Sequence, residues 1–339
     1  MTESTPPATS AGSATTALDE DLVALAGVAR EWLASRSGPE VVRERLEAPA
    51  QDCSLPPCWD ELAALGWRGR AVAESAGGQG AGVAGLAAVV EELGRAVAPG
   101  PFVSTAAVAT LLGAHAPTLA GPVVAGEPAA VLLGTGGTGP EQPGGTAGGE
   151  DGQVCHGAAE ARWLLVELAG GDDGFALLGA DDFDADPVPG ADPTLRAARV
   201  KIDPGALAAA ARVAVDHDEV VALLTLLASA ESVGVASWCV DTAADWARTR
   251  VQFDRPIGQF QAVKHRCADS LCRLEMARAA VFDAVGLGPT DPQFALAVAA
   301  AGALAPGAAF ECAKDAIQVL GGIGYTWEHD AHLYLRRAT

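Results

Sequence analysis

The chain has 339 residues, of which 50% are hydrophobic and 19% charged, and its formal net charge at pH 7 is −21. This length can bury a sizeable core in one to three domains. The charge repels nucleic acid, and it also repels phosphate-bearing cofactors unless a local cationic site overrides it. The nearest approach to a membrane span, residues 220–240, is interrupted by Glu231. We therefore expect a buried amphipathic helix there and no membrane span.

Residues 1–17 are rich in Ser, Thr, Pro and Ala and lack the basic start and apolar stretch of a secretory signal. They are predicted to form a disordered leader. The seven cysteines are an odd number and form no Cys-x-x-Cys pair. Reduced thiols in a cytoplasmic protein fit this pattern best. Cys267 and Cys272 lie near His265, but no second ligand pair accompanies them, so no metal site is predicted.

The first block, residues 18–118, is predicted to be an N-terminal helical domain. Apolar side chains share one helical face at Leu22, Leu25, Ala29, Trp32 and Leu33. Residues 59–66 favour a short second helix, and residues 83–97 a longer one. Residues 76–82 form a glycine-rich turn between these two helices, and Pro99-Gly100-Pro101 ends the longer one.

The middle block, residues 119–216, has a different pattern. Short apolar runs at residues 130–133, 163–166, 175–178 and 199–202 alternate with Gly, Asp and Pro clusters. This pattern is typical of a small β-domain. Residues 134–152 have low complexity and are predicted to be a loop.

The last block, residues 217–339, is helical again. Long amphipathic segments are predicted at residues 220–249, 261–285 and 292–320, and Pro306 should kink the third. The order of helices, then strands, then helices predicts an α+β fold that is mainly α. Because helices and strands do not alternate, a Rossmann sheet is not expected.

Residues 248–266 contain five Lys or Arg residues and a single acid, Asp254. This is the kind of cationic site that a pyrophosphate needs, and Arg250 can bind phosphate oxygens with two hydrogen bonds. Phe253 and Phe260 are suited to cover the apolar side of a planar ligand. The alternative is a solvated corner at which the arginines pair with surface acids, which is the usual role of a charge run.

A second segment, residues 318–325, places Gly321-Gly322 at the end of a long helix. Glycine lets a backbone approach a ligand closely and expose its amides. The alternative is an ordinary helix C-cap, which glycine also favours.

Together these two segments resemble the C-terminal signature of acyl-CoA dehydrogenases. The pattern R-x-x-F-x-x-P-I-x-x-F-Q is matched by Arg250, Phe253, Pro256, Ile257, Phe260 and Gln261. The pattern Q-x-x-G-G-x-G-Y-x-x-E is matched by Gln318, Gly321, Gly322, Gly324, Tyr325 and Glu328. Residues 59–67, 77–80, 91–95 and 99–102 agree with the family's N-terminal part. The resemblance extends over about residues 22–339, and residues 326–334 resemble a subgroup of short actinobacterial members.

The resemblance implies an N-terminal helical domain, a small middle β-domain and a C-terminal domain resembling a four-helix bundle. It implies FAD held between subunits, approached in a neighbouring chain by Arg250, Phe253, Gln261, Gln318, Gly321 and Gly322. The assemblies expected are homotetramers or heterotetramers of two related chains. The reaction implied is α,β-dehydrogenation of an acyl-CoA thioester in fatty acid or lipid metabolism, with an electron-transfer flavoprotein or a similar acceptor.

The sequence departs from this family at the catalytic base. Some members place a Glu directly after the arginine that matches Arg250, and here that position is Val251. Others carry a Glu beyond the arginine that matches Arg336. Glu231 remains as a candidate base, with a structural acid on a helix as its alternative, and Glu328 is interpreted as a capping or pairing residue.

The middle block departs too, because the Thr and Ser motif that contacts the flavin is not recognisable in residues 133–154. Three readings therefore stay open. The chain is an active dehydrogenase, a non-catalytic partner subunit that helps build the FAD site, or a binding protein without flavin. Asp254 also differs from the Gly that is usual at its position in the family.

Overall fold

The computed structural model describes residues 12–134, 152–168 and 174–339. Its helices are α1 (Gly12–Arg36), α2 (Pro39–Glu47), α3 (Trp59–Ala64), α4 (Gly82–Arg95), α5 (Phe102–His115), α6 (Pro117–Ala125), α7 (Pro204–Ala209), α8 (His217–Thr249), α9 (Gln261–Leu287), α10 (Phe294–Leu320) and α11 (Ala331–Arg337). Its strands are β1 (Ala129–Leu132), β2 (Gln153–His156), β3 (Trp163–Glu167), β4 (Phe175–Gly179), β5 (Phe183–Val188), β6 (Ala197–Ile202), β7 (Ala211–Val213), β8 (Val251–Gln252) and β9 (Arg255–Pro256).

The middle of the chain forms two small sheets. One has the order β1-β3-β4-β7, with β1 parallel to β3, and the other has the order β2-β6-β5. Strand β3 is buried on both faces because Leu164 and Val166 pack against the second sheet while Leu165 packs against the helical core. A strand with two covered faces needs a continuous apolar run, which is what its sequence has.

The predicted α+β, mainly helical architecture is confirmed, and two of its details differ. Helix α1 begins at Gly12, inside the segment predicted as a leader, whose residues 1–11 lie outside the described residues. Helix α6 spans the predicted boundary between residues 118 and 119. Helix α10 runs from Phe294 to Leu320 with Pro306 inside it, as predicted for this segment, and the kink at Pro306 stays a prediction. The predicted loop at residues 134–152 lies almost wholly outside the described residues.

The C-terminal helices α8, α9 and α10 pack on one another, and α4 of the N-terminal domain lies against α8. Two glycines allow the backbones of α4 and α8 to touch. A Cβ atom added at Gly234 would lie 1.8 Å from the Glu91 carbonyl oxygen, and one added at Gly94 would lie 2.0 Å from the Glu231 carbonyl oxygen. This crossing fixes the position of Glu231 relative to the N-terminal domain.

Helices α8 and α10 are both long and apolar enough to meet the length and hydropathy of a membrane span, a test that core helices also pass. They differ in burial. In the most apolar 18-residue stretch, 61% of α8 is buried within the chain, against 33% of the corresponding stretch in α10 and the turn that follows it. Helix α8 is therefore the core helix predicted from the sequence, and α10 keeps an uncovered apolar face.

The Gly94–Gly234 crossing predicts a large effect of one methyl group. Gly234→Ala should lower the free energy of unfolding by about 3 kcal/mol, because two backbones must move apart to admit the Cβ atom. Urea unfolding followed by circular dichroism measures this loss. The control is Gly27→Ala on exposed α1, where a Cβ atom meets no other atom. It should raise stability by about 0.5–1 kcal/mol, and equal effects of the two substitutions would contradict the close crossing.

Candidate active site

A two-residue β-hairpin follows α8. Strands β8 and β9 pair Gln252 with Arg255, so that Phe253 and Asp254 form the turn. Both turn residues have positive φ, 52° and 60°. This is the geometry that Asn-Gly adopts without strain and that a bulky residue adopts rarely. The turn projects the Phe253 ring outward, with 84% of the residue exposed.

Arg250 lies at the base of this hairpin and is not paired with an acid. Its guanidinium lies over the Trp246 ring, 5.9 Å from the centroid, and no carboxylate of the described residues lies within 4 Å of it. Arg248, two residues earlier, forms an ion pair with Asp245 at 2.7 Å. The two arginines therefore differ in their partners. Arg248 fits the alternative of a solvated ion pair, and Arg250 does not.

Two further cations near the hairpin also lack an acidic partner within the described part of the chain. The Arg255 guanidinium lies over the Phe260 ring, 4.4 Å from its centroid, and Lys264 is exposed on the first turns of α9. Arg250, Arg255 and Lys264, with the turn at Phe253, are called the cationic corner below. Its charge is not neutralised within the described chain, in contrast to the overall charge of −21.

The Gly321-Gly322 bend belongs to the same corner. Gly321 has φ 68°, and a Cβ atom added at either glycine would meet nothing within 4 Å, so this backbone is open to an approaching ligand. Trp246, which lies beneath Arg250, packs against the cluster that contains Leu320 and Ile323 on either side of the bend. Trp246 therefore connects the base of the hairpin with the end of α10.

The remaining predicted cofactor residues lie on the helices that flank the corner. Gln261 is the first residue of α9, and Gln318 is on the last turn of α10, one turn before Gly321. Both are exposed. Their amides are available to a ligand, as a nucleotide contact requires.

Glu231 lies at a different place, between the domains, and is held by a buried arginine. Its Oε1 accepts a hydrogen bond from Arg337 Nη1 at 2.7 Å. The Arg337 side chain is 3% exposed, and it also donates to Asp192 at 2.5 Å, to Thr194 Oγ1 at 2.7 Å and to the Ala98 carbonyl at 3.1 Å. The pKa of Arg337 is raised: burial acts to lower it, but Asp192 and Glu231 outweigh that effect. Sequence reasoning missed Arg337, because its partners lie 106 to 239 residues away.

The end of α4 is strained at this junction. Val97, two residues after the helix, has φ 47°, which a β-branched residue rarely adopts. Helix α11 holds the residues on both sides of it: Tyr334 Oη donates to the Arg95 carbonyl at 2.7 Å, and Arg337 donates to the Ala98 carbonyl. The last helix thus fixes the loop between α4 and α5.

A cavity of about 400 Å³ opens beside Glu231. It is called the interdomain cavity here, and its walls come from α4, α5, β1, β2 and α8, with Leu93, Phe102, Val131, Leu224 and Ala228 among the apolar residues. Among the described residues that line it, Glu231 is the one carboxylate. Cys155 also lines it, but burial raises the pKa of this thiol to about 12, so it stays protonated and is a poor nucleophile.

The histidines after the glycine bend do not form a metal site with other residues. No group of three or more His, Cys, Asp or Glu residues with suitable spacing occurs in residues 12–134, 152–168 and 174–339. Burial lowers the pKa of both His329 and His332. His329 Nδ1 accepts a hydrogen bond from the Ala331 amide, and the His332 ring packs 4.5 Å from the Trp327 ring. All seven cysteines are free thiols.

Comparison with known proteins agrees with this organisation. The family model described as "Acyl-CoA dehydrogenase, N-terminal domain" matches residues 19–121, and "Acyl-CoA dehydrogenase, C-terminal domain" matches residues 225–339. The chain therefore belongs to the acyl-CoA dehydrogenase family. The resemblance found in its sequence motifs is confirmed.

Two proteins that this chain resembles come from Mycobacterium tuberculosis. The chain is 41% identical over 292 residues to acyl-CoA dehydrogenase FadE34 of Mycobacterium tuberculosis, a match that covers 83% of this chain but only 39% of FadE34. It is 34% identical over 327 residues to acyl-CoA dehydrogenase IpdE2 of the same organism, covering 90% of this chain and 87% of IpdE2. The chain thus spans well under half of one relative and most of the other.

Two solved structures share the fold over nearly the whole chain. The Tcur3481-Tcur3483 steroid ACAD G363A variant superposes with a TM-score of 0.80 at 26% identity, covering 95% of this chain and 92% of that one. The ChsE4-ChsE5 complex from Mycobacterium tuberculosis gives 0.77 at 28% identity, covering 94% and 91%. The name of each of these structures refers to two polypeptides.

The hairpin turn yields a prediction about stability. Asp254→Gly should raise the free energy of unfolding by about 0.5–1 kcal/mol, because glycine adopts positive φ without the steric cost that other L-residues have. The control is Gln252→Gly in strand β8, where φ is not positive, and it should lower stability by a similar amount. Urea titration of both variants measures the difference. A loss of stability in Asp254→Gly would show that the turn is not strained.

Proposed function

We propose that this chain is a subunit of an FAD-dependent acyl-CoA dehydrogenase that removes hydrogen from Cα and Cβ of an acyl-CoA thioester. The observation that carries the proposal is the cationic corner, which gathers unpaired cations, an exposed aromatic ring and an open glycine bend in a chain of strongly negative charge. This is a combination that a dinucleotide cofactor requires. Membership of the family supports the same assignment.

The residues of the corner fit FAD by their chemistry. Arg250 offers a planar fork of donors that matches phosphate oxygens, and Gly321-Gly322 leaves room for a pyrophosphate beside the backbone. Phe253 offers an exposed ring whose aromatic contact in the described part of the chain is an edge-on one with Phe260. Gln261 and Gln318 add amide donors and acceptors. When bound, FAD would supply the oxidant that takes the hydride from Cβ.

The interdomain cavity is proposed to bind the acyl chain. Its volume of about 400 Å³ and its apolar walls suit an alkyl or polycyclic group, with each buried methylene contributing about 0.8 kcal/mol. Removal of the α-proton needs a carboxylate beside the thioester. Glu231 is the candidate that the described walls of the cavity offer, and its backbone and one carboxylate oxygen are both fixed, as a positioned base requires.

The cationic corner points to a cofactor shared with another chain. Phe253, Arg250 and Gly322 are all exposed in the single subunit, so a ligand bound there would stay in solvent unless a second protein surface covered it. We therefore propose a homotetramer, or a heterotetramer with a related chain, in the cytoplasm. An electron-transfer flavoprotein or a similar protein is the proposed acceptor.

The hydrogen bond between Glu231 and Arg337 favours a second candidate function. Because its Oε1 is bonded to buried Arg337, the carboxylate has an evident structural role. A chain that uses Glu231 in this way alone would be a non-catalytic partner subunit, and the base would come from the related chain. The two candidates share the FAD site and the acyl cavity, and they differ in which chain takes the proton.

Anaerobic addition of an acyl-CoA to the purified flavoprotein tests the main proposal. Octanoyl-CoA, palmitoyl-CoA and the CoA thioester of a steroid carboxylic acid are suitable probes, and at least one should bleach the flavin absorbance. Glu231→Gln should slow this bleaching by about 10² to 10⁴-fold because an amide cannot accept the α-proton. Glu328→Gln, which changes an exposed glutamate, should leave the rate unchanged. An unaltered rate in Glu231→Gln would assign the base to another chain.

Retention of flavin tests the cationic corner separately. Arg250→Gln should weaken FAD binding about 10- to 100-fold, since a hydrogen bond to a charged group contributes about 1.5–3 kcal/mol. Arg248→Gln is the matched control, because it removes an arginine that is already paired with Asp245. The dissociation constant is measured by titrating the apoprotein with FAD. Equal losses in both variants would refute a specific role for Arg250.

A further inference from the structure

A second cavity lies beside the end of α4, apart from the interdomain cavity. It has a volume of about 240 Å³, and its walls come from α1, α2, α4, α8 and α11. It is called the α4–α11 pocket below. Among the described residues, none lines both cavities. The acyl and FAD sites proposed above therefore do not include this pocket.

The walls of the α4–α11 pocket are mainly apolar. The aliphatic residues that line it include Leu33, Val42, Val97 and Leu333. Trp238 adds an aromatic wall and stacks on Tyr334, with the two ring centroids 3.6 Å apart. The Tyr334 hydroxyl already donates to the Arg95 carbonyl at 2.7 Å. Such a surface favours a hydrocarbon or aromatic ligand.

The charged residues that line the pocket are already paired within the protein. Glu92 is 3% exposed and accepts hydrogen bonds from Arg30 with both carboxylate oxygens, at 2.9 and 2.7 Å. Arg95 and Asp330 also form ion pairs, at 2.5 and 2.6 Å, with partners outside the pocket. A charged ligand would lose hydration here without gaining a free counter-charge. The pocket therefore suits an uncharged ligand.

One polar group of the pocket wall lacks a partner. Ser37 is 2% exposed, and its hydroxyl makes no hydrogen bond within the described chain. Ser35, which is exposed, does bond its hydroxyl to the Trp32 carbonyl at 2.8 Å. A buried hydroxyl without a partner is unfavourable, and it can turn between staggered positions to donate to a ligand. A ligand oxygen that accepts this hydrogen bond would complete the site.

The volume limits the size of this ligand. An apolar protein cavity of about 150 Å³ holds one benzene molecule, and sites for drug-sized molecules have about 300–1,000 Å³. At about 240 Å³, the α4–α11 pocket takes a single ring with a substituent or a compact two-ring molecule. A nucleotide or a CoA thioester does not fit.

The segment between α4 and α5 separates the two cavities. Val97 lines the α4–α11 pocket, and Ala98, the next residue, lines the interdomain cavity. Val97 has φ 47°, and the Ala98 carbonyl accepts a hydrogen bond from Arg337. Arg337 also holds Glu231. A ligand that packs against Val97 is thus one residue away from the wall of the other cavity.

We propose that the α4–α11 pocket is a second ligand site, which binds a small uncharged ring compound whose oxygen accepts a hydrogen bond from Ser37. Aromatic and alicyclic ketones are the simplest class of this kind. The occupant restrains Val97 and Ala98, and through them the wall of the interdomain cavity. This site goes beyond the proposed function and does not depend on it, because neither FAD nor an acyl-CoA enters the argument.

Equilibrium dialysis of the full chain against acetophenone tests the site. We expect one bound molecule per chain with a dissociation constant of about 1 mM, as for a ligand of this size. Ser37→Ala should weaken binding about 2- to 12-fold, the value of one hydrogen bond, and Ser35→Ala should not change it. Ethylbenzene, which lacks the oxygen, should bind wild type and Ser37→Ala equally. Benzoate should bind more weakly than acetophenone, and the reverse order would overturn the proposal.

A second variant places the bound probe. Ala34 is exposed and lines the pocket, so Ala34→Phe should fill it and abolish binding without disturbing the core. The control is Ala24→Phe, which changes an exposed alanine of the same helix outside the pocket. Acetophenone binding that survives Ala34→Phe would place the probe in the interdomain cavity and overturn the proposal. The absence of binding to wild type would do the same.

Amide hydrogen exchange tests the effect on the interdomain cavity without reference to flavin or activity. The amides of Val97, Ala98 and Gly100 donate to backbone carbonyls, so their exchange reports openings of this segment. With acetophenone at ten times its dissociation constant, openings that disrupt the pocket should become about 11-fold rarer. Strand β5, which lines neither cavity, should exchange at an unchanged rate. Bound acetophenone without slower exchange at residues 97–100 would contradict the proposed action on this wall.

Discussion

The buried guanidinium of Arg337 is the point at which the three parts of the chain meet. It donates to Ala98 of the N-terminal domain, to Asp192 and Thr194 of the middle domain, and to Glu231 of the C-terminal domain. Removing one partner from a buried ion pair typically costs about 3–5 kcal/mol because the remaining charge is left uncompensated. Arg337 therefore ties the three domains together beside the interdomain cavity.

Two separate constraints follow for the site. Arg337 and the Gly94–Gly234 crossing fix the cavity from inside the subunit, where the contacts are buried and complete. The cationic corner is the opposite case, because its cations, its ring and its glycine bend are open to solvent. The cavity is thus enclosed by one subunit while the cationic corner is not, which is the physical reason for proposing a shared cofactor.

Local sequence patterns were enough to predict the helices, whereas contacts between residues far apart in the sequence could not be predicted. Hydrophobic periodicity placed α8, α9 and α10 to within a few residues, including the continuation of α10 across Pro306. The family motif singled out Arg250 and Gly321, which local sequence alone could not have connected. Arg337 gave no signal, since one arginine near a C-terminus does not reveal partners from three domains.

The touching backbones of α4 and α8 also restrict how the interdomain cavity can change. No side chain can grow at Gly94 or Gly234 without separating the helices, so the crossing beside the cavity is closed to variation. Phe102, on the α5 wall, is a side chain whose size can be altered without moving a backbone. Divergence or redesign toward a larger cavity should therefore proceed through the α5 side, while the glycine crossing is inherited unchanged.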